Sequence, residues 1–402
     1  MAEHADFEPG GVPPAARSVS LRELAGYFLR LGVTAFGGPA AHVAMMEDEV
    51  VRRRAWMSRE TFLDLLGASN LIPGPSSSEL AIHIGYLRAG WLGLLVAGGC
   101  FVLPAALMVG ALAWAYVHFG KLPTVSALLY GVKPVVIAVI LQALWGLGKT
   151  ATKTRLLAVV GLGAVVLTLL GWHPLGVLAT AGLAMIVAGQ IAAGARGGRL
   201  ASGIAFAPWR RVTTAAASLT GGAAAMAVPF SLGSLFLVCL KIGAVVFGSG
   251  YVLLAFLRAD FVVHRGWLTD SQLVDAVAIG QVTPGPVFTT ATFIGYVLGG
   301  WRGATVATMG IFLPAFLLVA ASGPLVPRLR RSKVASAFLD GVNIASLALM
   351  AVVTAQLARA SIVDAATVAL AAVSCIALLR FRVNSAWLVL AGALTGVLLH
   401  GR

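Results

Sequence analysis

Two proline-glycine-proline motifs, each followed by hydroxyl side chains, carry the most specific chemistry in the sequence. They are Pro73-Gly74-Pro75 and Pro284-Gly285-Pro286. Proline removes a backbone donor and glycine loosens the chain, so each motif should end one helix and let the next begin. The hydroxyl residues that open the following helices are Ser76, Ser77, Ser78, Thr289 and Thr290. Free N–H groups, the helix dipole and these hydroxyls predict an anion site, unless the hydroxyls only cap their own helices.

A second helix break precedes each of these motifs. Phe36-Gly37-Gly38-Pro39 in the first half of the chain is matched by Phe247-Gly248-Ser249-Gly250 in the second. Arg30 and Lys241 lie six residues before the two breaks, inside otherwise apolar segments. A cation at membrane depth marks a substrate path or a paired acid, although a long side chain can also reach the interface. The predicted substrate-binding set is therefore completed by Arg30, Lys241, Gly37, Gly38 and Gly248.

Three acidic residues are candidates for proton coupling. Asp64 and Asp275 each lie nine residues before a proline-glycine-proline motif. They could pair with the two cations or take up protons during transport. Glu79 directly follows the three serines and has no acidic counterpart in the second half. It could carry a proton, or simply favour the start of its own helix.

The composition predicts that these residues sit in a membrane. Of the 402 residues, 59% are hydrophobic and 11% are charged, against about 25% charged residues in a typical soluble domain. Apolar runs long enough to span a bilayer recur along the chain. The net charge of +14 comes largely from clusters at the ends of these runs, which is typical of membrane orientation and not of nucleic-acid binding. The sequence thus predicts an all-α polytopic membrane protein.

The chain contains an internal repeat. The segment that starts at Arg30 matches the segment that starts at Lys241, at a constant offset of 211 positions through the second proline-glycine-proline motif. After a one-residue deletion the offset is 210, which pairs Trp91 with Trp301 and Pro104 with Pro314. Generic apolar helices would not share tryptophan, proline, glycine and charge at one spacing. The sequence therefore predicts two copies of one structural unit.

The distribution of basic residues predicts that the two copies cross the membrane in opposite senses. The loop at Arg52–Arg54 is basic while its counterpart near Arg258–Asp270 is nearly neutral, and the basic segment Arg328–Lys333 faces a depleted counterpart. Opposite orientations need an odd number of crossings, which an extra span near Val212–Phe230 would supply. The predicted organisation is a disordered cytoplasmic tail (1–19), a first repeat (20–195), a basic linker with that span (196–233) and a second repeat (234–402).

At these motifs the sequence resembles the chromate ion transporter family, in its long two-domain form. The resemblance rests on FGGP at Phe36–Pro39, the tryptophan after the basic loop, the two PGP motifs and the Ile-Gly-Tyr that follows each, and it spans about residues 20 to 400. It implies a multi-pass protein of the bacterial inner membrane that exports chromate with the proton motive force. It also implies two oppositely oriented halves. Family members often carry glutamine a few residues after PGP, whereas this chain has Glu79.

Other functions stay open at this point. Sulfate or another oxyanion could replace chromate, because these dianions have nearly the same shape. A membrane-embedded lipid-phosphate phosphatase is the alternative from a different class, with Ser78 and Glu79 as its only visible nucleophile and base. The three cysteines have no metal-ligand spacing, and neither a cofactor nor a metal is expected. The expected partners are the oxyanion and the lipid bilayer, and a homodimer is left open.

Overall fold

The structure is a computed structural model, and it describes residues 19–36, 38–120, 122–152, 154–194, 229–247, 250–322, 332–381 and 383–400. Within these ranges the regular structure is helical and contains no strand, which confirms the all-α prediction. Gly37 and Gly248 of the predicted site lie outside the described residues. So do the predicted tail, almost all of the predicted extra span, and nearly the whole basic segment before Lys333.

The described residues of the first half form seven helices. They are α1 (Leu21–Thr34), α2 (Gly38–Glu47), α3 (Arg59–Ser69), α4 (Ser76–Phe119), α5 (Pro123–Ala151), α6 (Arg155–Leu169) and α7 (Pro174–Gly194). A π-helical turn, Asp48–Arg53, continues α2. Side-chain caps start several of these helices: Ser20, Ser58 and Thr154 each accept a hydrogen bond from the backbone N–H three residues on.

The second half repeats this order of elements. Its helices are α8 (Leu232–Val245), α9 (Leu253–Leu257), α10 (Asp270–Val282), α11 (Thr290–Ser322), α12 (Lys333–Ser361), α13 (Ala365–Arg380) and α14 (Ser385–His400). A π-helical turn, Arg258–His264, again follows the short helix, and a 3₁₀ turn, Val287–Thr289, precedes α11.

The helix boundaries follow the offsets found in the sequence. Helix α8 begins and ends 211 positions after α1, and α12 begins and ends 210 positions after α5. The repeat of residues is therefore matched by a repeat of elements. The domain limits set from the sequence stay a prediction, as does the opposite orientation of the two halves.

Helices α4 and α11 each fold back on themselves. The backbone reverses at Gly90 and at Gly300, where φ is +59° and +60°, a left-handed conformation that glycine adopts without strain. Gly85 and Gly93 would lie about 12 Å apart in a straight helix. Here a Cβ on either one would overlap the carbonyl oxygen of the other. Each element is thus a short helix, a tight reversal and a long helix.

Five described helical segments are long and apolar enough to span a membrane. They are Ser76–Phe119, Pro123–Lys149, Pro174–Ile191, Val287–Ser322 and Val334–Ser361. Their outward faces carry large exposed apolar side chains, among them Trp91, Leu95 and Leu107, each more than half exposed. Such continuous apolar surface is stable only against lipid or protein. The chain is accordingly a multi-pass membrane protein.

The two halves interlock rather than fold as separate units. Helix α5 of the first half packs against α13 and α14 of the second, and α12 packs against α6 and α7 in the same way. Small residues allow the close approach: a Cβ on Gly131 would overlap the backbone of Gly392, and one on Gly341 would overlap that of Ala181. The two contacts occupy equivalent positions of the repeat. Each half therefore completes the packing of the other.

We expect Gly85→Ala to destabilise the protein, because the new methyl group would force the α4 hairpin open. Overpacking of this kind costs about 1 to 3 kcal/mol. The control is Gly99→Ala, in the same helix, where a Cβ meets nothing within 4 Å. Thermal unfolding in detergent should show a lower midpoint for Gly85→Ala and an unchanged or higher one for Gly99→Ala. Equal midpoints for the two variants would contradict the hairpin.

Candidate functional site

The two halves meet through a reciprocal pair of hydrogen bonds between their helix breaks. The Gly74 N–H donates to the Val246 carbonyl at 2.7 Å, and the Gly285 N–H donates to the Ala35 carbonyl at 2.9 Å. Ala35 and Val246 are the C-cap residues that directly follow α1 and α8. Each proline-glycine-proline motif thus binds the helix break of the opposite half. Gly74 and Gly285 are equivalent positions of the repeat, and so are Val246 and Ala35. A two-fold axis relates contacts in this reciprocal way.

Neighbouring contacts follow the same symmetry. A Cβ on Gly74 would meet Ala315 of the second half, and one on Gly285 would meet the equivalent Ala105 of the first. Gly250 of the second break lies against Pro39 of the first. A Cβ built on Gly250 would be 3.9 Å from the Cγ of Pro39. The sequence motifs that break helices therefore converge at one place, between the halves.

The hydroxyl residues after the second motif bind their own backbone. Thr289 Oγ1 donates to Pro286 O and Thr290 Oγ1 donates to Val287 O, both at 2.8 Å. Because a hydroxyl has one proton, neither can donate to an anion while these bonds last. In this conformation the two threonine hydroxyls stabilise the start of their own helix. These bonds favour the capping role over the anion-binding role for them. In the first motif, Pro75 O likewise accepts the N–H groups of Ser78 and Glu79.

A buried histidine links the first break to the start of α4. His42 Nε2 lies 3.1 Å from Ala35 O, and its Nδ1 lies 3.3 Å from Ser77 Oγ. A carbonyl can only accept, so Nε2 carries the proton; in the neutral ring Nδ1 then accepts from the Ser77 hydroxyl. The Ala35 carbonyl oxygen therefore accepts hydrogen bonds from both His42 Nε2 and the Gly285 N–H. His42 has no counterpart in the second half, where leucine occupies the equivalent position, and its contacts agree with a structural role.

Glu79 is fully buried, and neither of its carboxyl oxygens has a hydrogen-bond partner among the described residues. Ser78 Oγ and His83 Nε2 are also buried without a described partner. The Glu79 carboxyl lies against the first proline-glycine-proline motif, where a Cβ on Gly74 would overlap Oε1. An ionised carboxylate in such a place is very costly, so the group is stable only when protonated.

The two predicted cations have different surroundings. Arg30 lies on the exposed face of α1. Lys241 is ion-paired with the buried Asp260, which also binds Arg265 at 3.2 Å. Lys241 therefore has an acidic partner, and the structure does not bring it to the proline-glycine-proline motifs as an open cation.

The two predicted aspartates also differ. Asp64 on α3 is exposed, whereas its repeat partner Asp275 on α10 is 3% exposed. Lys133 Nζ lies 3.0 Å from Asp275 Oδ1, and the Tyr116 hydroxyl donates to Oδ2 at 3.0 Å. Asp275 is thus paired with Lys133 and not with Lys241. The apolar surroundings of Lys133 were the available signal, because a lysine inside a spanning helix needs a partner.

Comparison with known proteins assigns the chain to a family. The family model described as "Chromate transporter" matches residues 22–190 and 233–397, once for each half. The chain belongs to the chromate transporter family. It is 35% identical to the chromate transport protein of Cupriavidus metallidurans, over 96% of this chain and 95% of that one. It is 34% identical to the probable chromate transport protein of Synechococcus elongatus, over 87% of each. No solved structure matches it.

The space between the breaks of this transporter is nearly closed. A cavity of about 10 Å³, room for about one water molecule, lies between the first break and the second proline-glycine-proline motif. It is lined by Ala35, Gly38, Gly280, Gln281, Thr283, Gly285, Val287 and Ser385. A tetrahedral oxyanion has five heavy atoms and does not fit. The described conformation holds the breaks together, so a substrate there requires them to separate.

One group in the described part of the transporter has the residue types of a metal site. His173, Asp260 and His264 bring ligand atoms within 4.8 Å of one another. Asp260 is already neutralised by Lys241 and Arg265, and the His264 Nδ1–H donates to Ala259 O. Burial and the charge of Lys241 both lower the pKa of His173, so this residue is neutral at pH 7. Two cations beside the carboxylate oppose a divalent ion, and we interpret the group as a structural network.

We expect Lys241→Ala to lower stability through Asp260, which would keep a buried charge with one fewer partner. The cost should be about 2 kcal/mol, less than the roughly 3 to 5 of a fully buried pair because Lys241 is one-third exposed. Thermal unfolding should show part of the loss recovered in Lys241→Ala combined with Asp260→Asn. Arg30→Ala is the matched control, with an unchanged midpoint. A double variant no more stable than Lys241→Ala would overturn this role.

Proposed function

We propose that this protein exports chromate across the bacterial inner membrane and that the proton motive force drives the export. The family and its chromate-transporting relatives support the substrate. The reciprocal hydrogen bonds between the helix breaks of the two halves support a transport mechanism. Among the described residues one backbone hydrogen bond joins each break to the opposite half, and water that enters between the halves can replace that bond when they separate. Secondary transporters bind their substrates at such breaks, between repeats.

The orientation of the two-fold axis follows from the loop charges. Arg53 and Arg54 of the first basic loop bind two exposed acidic side chains, Asp48 of the π-helical turn and Glu23 of the first turn of α1. The counterpart in the second half is poor in basic residues. An axis that lies in the membrane plane would put the basic loop in the cytoplasm and its counterpart outside. Under this arrangement, separation of the halves on either side opens the breaks to opposite faces.

The sign of the membrane potential favours export. Moving one elementary charge across the membrane changes its energy by about 2.3 kcal/mol per 100 mV. For a dianion leaving a negative interior the gain is about 5 kcal/mol per 100 mV. Inward movement of a proton gains from the same potential. An exporter that exchanges chromate for protons would therefore use both components of the proton motive force.

Among the three acidic candidates, Glu79 is best placed to carry the coupling proton. Its carboxyl lies against Gly74, whose N–H binds the opposite half. Loss of the proton would create a buried charge that requires water, and water can reach it only if the break moves. Protonation would thus favour the closed contact and deprotonation the open one. Asp275 is held by Lys133 and Tyr116, and Asp64 is exposed, so neither senses the contact as directly.

We expect cells that express the protein to accumulate less chromate than cells without it. A protonophore should remove the difference, because it collapses the driving force. The measurement is intracellular chromium after exposure to chromate, with excess sulfate in a parallel sample to test competition. Unchanged or raised accumulation in expressing cells would exclude chromate export and make uptake of sulfate or another oxyanion the next test.

We expect Glu79→Gln to separate chromate movement from the proton gradient. In proteoliposomes, exchange of labelled for unlabelled chromate without a gradient should persist, because glutamine resembles the protonated acid and exchange needs no net proton transfer. Accumulation driven by an imposed pH gradient should be lost. Glu60→Gln, at an exposed acid in α3, is the matched control and should keep both activities. If Glu79→Gln still accumulates chromate in response to a pH gradient, Glu79 does not carry the coupling proton.

A further inference from the structure

Each half of the transporter offers an equivalent route from the surface to a proline-glycine-proline motif. In the first half the route runs between the end of α3 and helix α12. In the second half the repeat offsets place it between the end of α10 and helix α5. The two routes should have the same shape if the two-fold relation were perfect. In the structure they differ.

The route beside α3 is an open cavity of about 260 Å³. Its lining residues are Gly67, Asn70, Leu71, Ser336, Leu339, Asp340 and Asn343. Asn70, at its rim, is exposed, and Leu71 lies two residues before Pro73. The cavity is therefore open to the surface, and its lining reaches to within two residues of the first proline-glycine-proline motif. Its described lining contains the acidic Asp340 and no basic side chain, so the cavity suits passage in water and not the resting site of the substrate.

Three of the equivalent positions in the second half are less exposed: Ala278, Gln281 and Lys133, compared with Gly67, Asn70 and Asn343. Asn343 is replaced by Lys133 and Gly67 by Ala278, and Ala278 is 1% exposed. Lys133 crosses the route: its Nζ binds Asp275 Oδ1 at 3.0 Å and donates to Ser271 Oγ at 2.8 Å. Tyr116 from α4 adds a hydrogen bond to the same carboxylate. Helices α4 and α5 of the first half are thereby tied to α10 of the second.

The aspartates report the same difference. Asp64 beside the open cavity is exposed, and Asp275 beside the closed route is buried, although they occupy one position of the repeat. Asp275 lies five residues before Gly280, which lines the small cavity between the breaks. That separation is about 7.5 Å along the helix. The ion pair therefore lies across the route, close to the place where the breaks meet.

We propose that the cavity between α3 and α12 is the open access route for the oxyanion and that Lys133, Asp275 and Tyr116 form the gate that closes the equivalent route. The proposal rests on the proposed transport function, since only a transporter needs two routes. Opening the gate requires α5 and α10 to part, which exposes Lys133 and Asp275 to water. Lys133 then meets an entering dianion as a cation, and the charge pair recloses the route after the dianion has passed.

Thiol labelling at two equivalent positions tests the gate. Cys100, Cys239 and Cys375 are first replaced by alanine, and Gly67→Cys or Ala278→Cys is added. A membrane-impermeant maleimide is then applied to membrane vesicles of either orientation. We expect Gly67→Cys to react from one side only. Ala278→Cys should be unreactive from both sides until Asp275→Asn is introduced, and should then react at least about tenfold faster, from the side opposite to Gly67→Cys.

The exchanged pair, Lys133→Asp with Asp275→Lys, controls for damage to packing. It keeps both charges and should protect Ala278→Cys again, whereas a merely loosened fold would stay reactive. Rapid labelling of Ala278→Cys with the native pair intact, or labelling of both positions from the same side, would overturn the gate. Labelling needs no substrate. If the labelling pattern is as expected but no chromate flux is found, the gate stands and chromate is refuted as the substrate. If chromate flux is normal but the labelling pattern is wrong, chromate stands and the gate is refuted.

Discussion

The structure depends on two backbone hydrogen bonds that the halves exchange, from Gly74 to Val246 and from Gly285 to Ala35. A helix that stops inside a bilayer leaves carbonyl groups without partners, at a cost of several kcal/mol each in hydrocarbon. Here one carbonyl at each break finds its donor in the opposite half. Neither half could therefore form its break alone at membrane depth. The proposed substrate path consequently lies at the interface between the halves.

The same constraint explains why the interface is built from small residues and buried polar groups. Glycine at position 74 or 285 leaves room for the backbone to approach, and φ is +139° and +95° there, values that other residues rarely adopt. Apolar packing gives little net drive between helices in lipid, so close approach and hydrogen bonds must hold them. Interlocked helices, such as α5 with α14, add contact area around the two bonds. The breaks can then separate while the halves remain joined.

The sequence predicted the elements better than the contacts. Proline and glycine positions are local signals, and both proline-glycine-proline motifs lie between helices as predicted. The repeat offsets likewise match the helix boundaries, because a repeat preserves local signals. Partner choice is not local. Lys241 pairs with Asp260, and Asp275 pairs with Lys133, which lies 142 positions away in the chain. Only the interlocked packing of the halves brings α5 to α10.

The departures from symmetry carry as much information as the repeat itself. A two-fold duplicate with identical halves would have equal energies facing either side in the absence of a gradient. Glu79 and His42 beside one break, with Thr289 and a leucine at the related positions beside the other, make the two contacts chemically different. Lys133 opposite Asn343 does the same for the two routes. Protons and anions can bias an equilibrium only through such differential interactions. In the proposed mechanism the shared frame of the repeat allows two conformations, and the residues that differ between the copies decide which of them each ion favours.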